Sequence, residues 1–369
     1  MGVMLDGVDS FIYALVLVPA AIGMRGNIFG ALGSRLGTGL HTGQFEPSRE
    51  PESFLGQNVL SSVYLTLATS LFLAAAARIV SVALGFTSIS VWDYAVISIL
   101  GGVLGSIVVG TASIFIAVWS QRRGWDLDSV SAPLVTAIGD IATLPALWAA
   151  SYLAGIPYLT LILGTAVAAV CLVATIRGLL SHLPIVRRVV RESMPVLFAA
   201  GVIDIFAGTV VEARISRFIA FPALFVLIPP FLEDTNALTG ILSSRLASKL
   251  HLGLIETRPF PQALAWVDIS IQFIFAVSVF FMVGVATEMV SLLTNLASPG
   301  FGTILAISMT AGLAATIISS AIAYYTAVAS YRFGLDPDNH GIPIGSSVMD
   351  LAGTLCLVGA ILLFVSPNG

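Results

Sequence analysis

Long apolar stretches separated by short polar breaks are the feature that most constrains how this chain can fold. Ten such stretches occur along the 369 residues. A helix of about 20 apolar residues crosses the hydrocarbon core of a bilayer. The stretches lie at about 11–40, 58–84, 94–119, 131–154, 158–180, 194–212, 218–250, 266–294, 302–330 and 342–366. They predict an all-α polytopic membrane protein with about ten transmembrane helices.

Composition supports this class and excludes others. Hydrophobic residues make up 57% of the chain and charged residues 10%, whereas soluble domains carry about 25% charged residues. The net charge of -4 gives no basic surface for nucleic acid, so we predict no nucleic-acid partner. Both cysteines, Cys171 and Cys356, lie inside apolar stretches. They therefore indicate neither a disulfide framework nor a thiolate metal site.

Basic residues are distributed unevenly over the connections between the stretches. Counted from the amino terminus, the odd-numbered connections carry most of them: Arg49, Arg122, Arg123, Arg177, Arg187, Arg188, Arg191, Lys249, Arg258 and Arg332. Cytoplasmic loops are enriched in Lys and Arg. We therefore predict a multi-pass protein of the cell membrane with these connections in the cytoplasm and both termini outside.

The sequence contains an internal repeat. Sliding it against itself by 210 residues aligns two distant windows without a gap. The coinciding residues include Pro19 with Pro229, Gly30 with Gly240, Ser34-Arg35-Leu36 with Ser244-Arg245-Leu246, Pro133 with Pro343, and Asp140 with Asp350. One offset that serves both windows indicates a duplication of the membrane region.

The duplication also predicts the orientation of the two halves. Each apolar stretch of the first half matches the stretch six places later along the chain. Because six is an even number of membrane crossings, both halves cross the membrane in the same direction. Such parallel repeats are related by a pseudo-twofold axis along the membrane normal. We predict a first half at 1–154, a linker with one extra span at 155–192 and a second half at 193–369. We expect the first half to be without its first helix, whose place would fall before Met1, either because the chain has lost that helix or because the sequence begins after it.

Two stretches, 11–40 and 218–250, are long for a simple crossing. At about 1.5 Å per residue, each exceeds the hydrocarbon thickness of about 30 Å. The first contains Pro19, Gly23, Gly26 and Gly30, and the second contains Pro222, Pro229 and Pro230. We therefore expect each stretch to break or to protrude into the cytoplasm.

Asp140 and Asp350 are the leading candidates for a functional site. Each aspartate comes seven residues after a proline at the start of an apolar stretch. Seven residues of helix rise about 10 Å, so each aspartate lies about that far inside the membrane. An ionisable group at that depth is costly and usually functional. Hydroxyl residues flank both: Thr136 and Thr143 in one half, Ser346 and Ser347 in the other. Two facing carboxylates with hydroxyls form a hard-oxygen site of the kind that Mg²⁺ prefers. In the alternative interpretation, each aspartate only bonds a neighbouring helix.

Enzyme motifs are weak. Two intramembrane aspartates could form an aspartyl-protease dyad, but Ala137 stands where a Gly-X-Gly-Asp motif needs glycine. Neither a Walker loop nor a dinucleotide fingerprint occurs in the sequence. The sequence therefore predicts a protein that is not an enzyme and has no organic cofactor.

Several motifs resemble the integral-membrane domain of MgtE-type magnesium transporters, in particular the branch with two fused halves that includes the animal magnesium solute carriers. They are Gly23-Met24-Arg25-Gly26-Asn27 followed by Ser34-Arg35-Leu36, and Asp336-Pro337-Asp338-Asn339 followed by Ile342-Pro343 and Asp350-Leu351-Ala352-Gly353-Thr354. The resemblance implies that paired halves surround a central pore and that Asp140 and Asp350 bind a largely hydrated Mg²⁺. It also places Gly26 and Asn27 at the pore.

The second half departs from the glycine-rich motif. It has Glu233-Asp234-Thr235-Asn236-Ala237 at that place, so Asn236 is displaced by one position from Asn27. Asp234, Asn236, Ser346 and Ser347 are the pore-lining candidates of this half, and Thr136 and Thr143 join Gly26 and Asn27 as those of the first half.

Together these features predict a channel or transporter for divalent cations, chiefly Mg²⁺, that works in the bilayer as a pseudo-dimeric monomer. Mg²⁺ loses its water reluctantly, so two carboxylates can hold it through retained water. An ion-coupled secondary transporter of a small organic solute is the alternative function, with an intramembrane aspartyl protease a more distant one.

Overall fold

The computed structural model describes residues 14–41, 43–45, 48, 50–86, 88–123, 127–333 and 342–365. Within these residues the chain forms eleven α-helices and no β-strand. They are α1 (Leu17–His41), α2 (Phe54–Ala83), α3 (Val91–Arg123), α4 (Leu127–Ser151), α5 (Leu159–Leu179), α6 (Pro184–Glu212), α7 (Ile215–Ala220), α8 (Ala223–His251), α9 (Ala263–Thr294), α10 (Phe301–Phe333) and α11 (Ile342–Phe364).

The all-α polytopic class is confirmed. Every predicted stretch corresponds to a long helix, and in the described residues seven helices are long and apolar enough to cross a membrane. These are α2, α3, α5, α6, α9 and most of α10 and α11. Helices are the expected form because lipid leaves backbone groups no other partners. For α1, α4 and α8, membrane crossing stays a prediction.

The first long stretch forms one continuous helix in the described residues, α1, so an internal break there was wrong. The second long stretch does break, between α7 and α8. Pro19 lies near the start of α1, where the missing N–H costs little. Pro229 and Pro230 lie inside α8 without ending it. Of the three prolines of this stretch, only Pro222 lies at the interruption, next to Phe221.

The helices pack as two compact units, Met1–Gly208 and Thr209–Gly369. In the first unit, α1 contacts α2, α3 and α4, while α3 contacts α2 and α4. In the second unit, α8 contacts α9, α10 and α11, while α10 contacts α9 and α11. The same pattern of helix contacts therefore occurs in both units. The sequence-based domain boundaries at 154 and 192 stay predictions.

Hydrogen bonds at repeat-related positions confirm the duplication. The buried Ser98 hydroxyl donates to the carbonyl oxygen of Ser70 at 2.8 Å and joins α3 to α2. In the second unit the Ser308 hydroxyl donates to the carbonyl oxygen of Phe280 at 2.7 Å and joins α10 to α9. Both donors and both acceptors are separated by the sequence offset of the repeat. The same bond thus holds the same helix pair in each unit.

The arginines of the Ser-Arg-Leu motif also make equivalent contacts. Arg35 Nε donates to Asn58 Oδ1 at 2.9 Å, and Arg245 Nη2 donates to Asp268 Oδ1 at 2.8 Å. Each bond joins the first matched helix of its unit to the second. The repeated motif is therefore a packing element, which the sequence did not reveal.

The first unit contains two helices outside the repeat. α5 packs on α2 and α3. The helix α6 contacts α2, where the rings of Phe72 and Phe198 stack at 4.2 Å. A Cβ atom on Gly208 would lie 2.2 Å from the carbonyl oxygen of Val16. Glycine thus permits close approach of α6 to the chain just before α1.

Candidate cation site

Asp350 lies in α11 and is only 4% exposed. Ser347 and Thr354 are also buried, and their spacing along the helix places all three residues on one face. A carboxylate buried at membrane depth is costly unless it has polar partners or a cation. The surroundings of Asp350 therefore decide what this face can bind.

The acidic segment of α8 supplies those surroundings. Asn236 Nδ2 donates a hydrogen bond to Asp350 Oδ1 at 2.7 Å. Glu233, one turn earlier on the same helix, interacts electrostatically with the carboxyl groups of Asp350 and Asp234. The Asn236 amide thus contacts Asp350 where α8 and α11 pack, and Glu233 is within electrostatic range of both Asp350 and Asp234. Such a concentration of negative charge favours a cation.

A glycine allows the two helices to approach at this point. A Cβ atom on Gly353 would lie 3.2 Å from Leu232 Cδ2 and 3.5 Å from Thr235 Oγ1. The Thr235 hydroxyl donates to its own helix, at 2.6 Å to the carbonyl oxygen of Phe231. Gly353 therefore brings α11 close enough for Asp350 to reach Asn236.

Two buried hydroxyl oxygens on the same face of α11 as Asp350, Ser347 Oγ and Thr354 Oγ1, have no hydrogen-bond partner. The same is true of Oδ1 of Asn236, the residue bonded to Asp350. Oxygens of this kind bind hard cations or the water molecules around them. Of the predicted site residues, Asp234, Asn236, Ser346, Ser347 and Asp350 all lie on α8 or α11. Among the residues described, no group of three His, Cys, Asp or Glu side chains is arranged to hold a metal ion directly.

The candidates of the first unit lie on α1 and α4. Asn27 is buried and Gly26 is half-buried. The buried Thr143 hydroxyl donates to the carbonyl oxygen of Gly139 at 2.6 Å. The side chains of Thr136 and Asp140 lie outside the described residues. A site shared by Asp140 and Asp350 therefore stays a prediction.

Sequence reasoning did not include Glu233 among the site residues. Its spacing of three residues from Asn236 places both on one face of α8, and this periodicity was the signal that could have found it. Only the packing of α8 against α11 shows that Asp350 belongs to the same group.

Comparison with known proteins decides the family. The sequence profile named MgtE, described as a divalent cation transporter, matches residues 18–150 and again residues 228–360. The chain belongs to the MgtE family. The second match begins and ends 210 residues after the first, which is the offset of the internal repeat. Each half is therefore an MgtE copy.

Curated relatives of this MgtE-family chain carry the name solute carrier family 41. Member 3 of Mus musculus is 24% identical over 376 residues, which cover 93% of this chain and 73% of the relative. Member 2 of Homo sapiens is 26% identical over 377 residues, which cover 93% of this chain and 62% of the relative. No solved structure matches the chain significantly. The resemblance to MgtE-type proteins with two fused halves is thereby confirmed.

Proposed function

We propose that this MgtE-family chain carries divalent cations, chiefly Mg²⁺, across the cell membrane and binds the ion between Asp140 and Asp350. The observation that carries the proposal is the buried carboxylate of Asp350, which is bonded to Asn236 and lies within electrostatic reach of Glu233. A buried group of this charge in a divalent cation transporter family favours the cation as its ligand.

The chemistry of Mg²⁺ suits these residues. Mg²⁺ demands octahedral oxygen coordination, keeps several water ligands and needs only one or two carboxylates. The buried oxygens of Ser347, Thr354 and Asn236 are acceptors for the hydrogens of such water. Two carboxylates, one from each MgtE copy, balance the charge of a divalent ion. A single chain would then supply the site as a pseudo-dimer.

Asparagine substitutions test this proposal because they remove charge while nearly preserving shape. The purified chain is reconstituted in liposomes that contain a Mg²⁺-sensitive dye, and Asp140→Asn, Asp350→Asn and the double variant are compared with the wild-type protein. Calorimetry gives the Mg²⁺ affinity and melting curves in detergent give stability. Glu192→Gln is the control, because Glu192 is exposed and pairs with Arg188 on the same helix.

If both carboxylates hold the ion, each single substitution weakens Mg²⁺ binding, on the order of 10–100-fold. The double substitution then adds less than the sum, because the first has already broken the site. Unchanged Mg²⁺ affinity in a folded double variant would refute the proposal. Coupled transport of an organic solute would then be the better hypothesis.

A further inference from the structure

Four arginines lie where α5 ends and α6 begins. They are Arg177 in the last turn of α5, and Arg187, Arg188 and Arg191 in the first two turns of α6. All four are exposed. No acidic residue occurs between 177 and 191, in a chain whose net charge is -4. The connection between α5 and α6 is therefore strongly positive, although the protein as a whole is acidic.

Arg191 links the two helix ends. Its Nε donates to the carbonyl oxygen of Leu179 at 3.1 Å. The last carbonyl groups of a helix have no partner within that helix, and a basic side chain near them is favourable. Arg187 lies one turn before Arg191 and shares its face of α6. Both arginines thus lie on the face of α6 that reaches the end of α5, where Arg177 lies.

Two contacts fix this connection on α2. The Ile185 amide at the start of α6 donates to Gln57 Oε1 of α2 at 3.1 Å. A Cβ atom on Gly178 would lie 3.1 Å from the Cβ atom of Tyr64 in α2, so α5 approaches α2 closely at its last turn. The arginines therefore project from a part of the fold that is held on both sides.

Little of this charge is neutralised within the described residues. Arg188 pairs with Glu192 at 3.1 Å, but the two side chains are 74% and 46% exposed, and such a pair is weak. The other ion pairs of the residues that the structure describes use Glu256 and Asp268. Neither Arg177 nor Arg187 therefore contacts a carboxylate there.

The basic residues at the connection between α8 and α9 differ in this respect. Arg245 and Lys249 both contact the buried Asp268, and Arg258 contacts Glu256 at 2.7 Å. Carboxylates of the chain itself thus offset the positive charge at that connection. The charge at the α5–α6 connection is left for a partner outside the chain.

The position of this connection indicates what that partner is. Both α5 and α6 are long and apolar enough to cross a membrane, and only residues 180–183 separate them. The arginines therefore lie at the membrane surface, at the level of the lipid headgroups. Ile176 and Leu180, on either side of Arg177 in the sequence, are 48% and 71% exposed. Apolar and basic side chains thus share one surface, as in segments that contact both acyl chains and headgroups.

We propose that the α5–α6 connection binds anionic phospholipids of the leaflet that it faces. Arg177, Arg187 and Arg191 donate to the phosphate, whose geometry the planar guanidinium matches. The exposed side chains of Ile176 and Leu180 contact the acyl chains. Basic clusters next to a membrane-spanning helix attract anionic lipids in this way. Because α5 and α6 lie outside the repeat, the proposal does not depend on the cation site.

Lipid binding by the purified full-length chain tests the proposal. Native mass spectrometry in detergent compares phosphatidylglycerol with phosphatidylcholine of the same acyl chains, and melting curves measure the stabilisation that each gives. We expect phosphatidylglycerol to bind more tightly, on the order of tenfold or more, and to raise the melting temperature. Equal binding of the two lipids would overturn the proposal. Equal stabilisation by inorganic phosphate would also overturn it, because a free anion would then suffice.

Two matched double variants assign the effect to these arginines. Arg177→Gln with Arg187→Gln removes two exposed charges from the connection. The control, Arg258→Gln with Arg332→Gln, removes two exposed charges from the second unit. We expect the preference for phosphatidylglycerol to fall on the order of tenfold in the first variant and to persist in the control.

A preference that survives in the first variant, or that falls equally in both, would overturn the proposal. Arg187→Gln alone serves if the first variant does not fold. Its preference should fall by a factor of about five, and an unchanged preference would overturn the proposal in the same way.

Discussion

The Asn236 amide donates a 2.7 Å hydrogen bond to the carboxylate of Asp350 and so joins the acidic segment of α8 to α11. Asp350 is buried, so this bond compensates part of the cost of placing a carboxylate there. The bond also sets the direction in which the other carboxylate oxygen points.

Removing that donor should destabilise the second unit. Asn236→Ala leaves the Asp350 carboxylate without the amide, and an unsatisfied buried polar group costs about 1–3 kcal/mol. We expect a lower melting temperature in detergent and weaker Mg²⁺ binding by calorimetry. Thr239→Ala is the control on α8, because the Thr239 hydroxyl bonds the carbonyl oxygen of Thr235 in its own helix. Equal stability of the two variants would contradict the assigned role of Asn236.

The buried Asp268 is paired with two cations. Arg245 contacts it at 2.8 Å and Lys249 at 2.5 Å. The double substitution Arg245→Gln with Lys249→Gln leaves this carboxylate unpaired, which should cost about 3–5 kcal/mol. Melting curves measure the effect. Arg188→Gln is the control and should cost about 0–1 kcal/mol, because its pair with Glu192 is exposed. A loss no larger than that of the control would show that Asp268 is solvated.

Two glycines of α10 should respond differently to alanine. A Cβ atom on Gly312 would lie 2.1 Å from Cγ of Phe280, and the ring is fully buried, so rotation about χ1 has no free space to relieve the clash. Gly312→Ala should therefore destabilise the second unit by about 1–3 kcal/mol through overpacking. Gly302 has no neighbouring atom within 4 Å of such a Cβ, so Gly302→Ala should leave the melting temperature unchanged. Equal melting temperatures for the two variants would refute the packing of α9 on α10.

Membrane orientation is testable by cysteine labelling. With Cys171 and Cys356 replaced by alanine, single cysteines are introduced at Asn368 and at Arg188. Because the basic connections are predicted to be cytoplasmic, an impermeant reagent should label position 368 on intact cells. Position 188 should react only after permeabilisation. The opposite pattern would place both termini in the cytoplasm.

The helices and the repeat could be predicted from the sequence for a physical reason. A membrane leaves an apolar segment few choices beyond the helix, so the positions of the long helices follow from hydrophobicity alone. Duplication leaves identical residues at one offset, and the second MgtE match at 228–360 lies where that offset places it. Proline content was a partial guide to the second long stretch: the chain is interrupted at Pro222, whereas Pro229 and Pro230 are accommodated within α8.

Contacts between distant segments were decided only by the tertiary structure. The sequence identified Asp350 and Asn236 separately, but their hydrogen bond depends on the close approach of α8 and α11 at Gly353. The sequence likewise contained Arg191 without indicating its bond to the carbonyl oxygen of Leu179, because that bond depends on the turn between α5 and α6. Hydrophobicity determines which segments become helices, whereas side-chain packing between helices determines which polar groups meet.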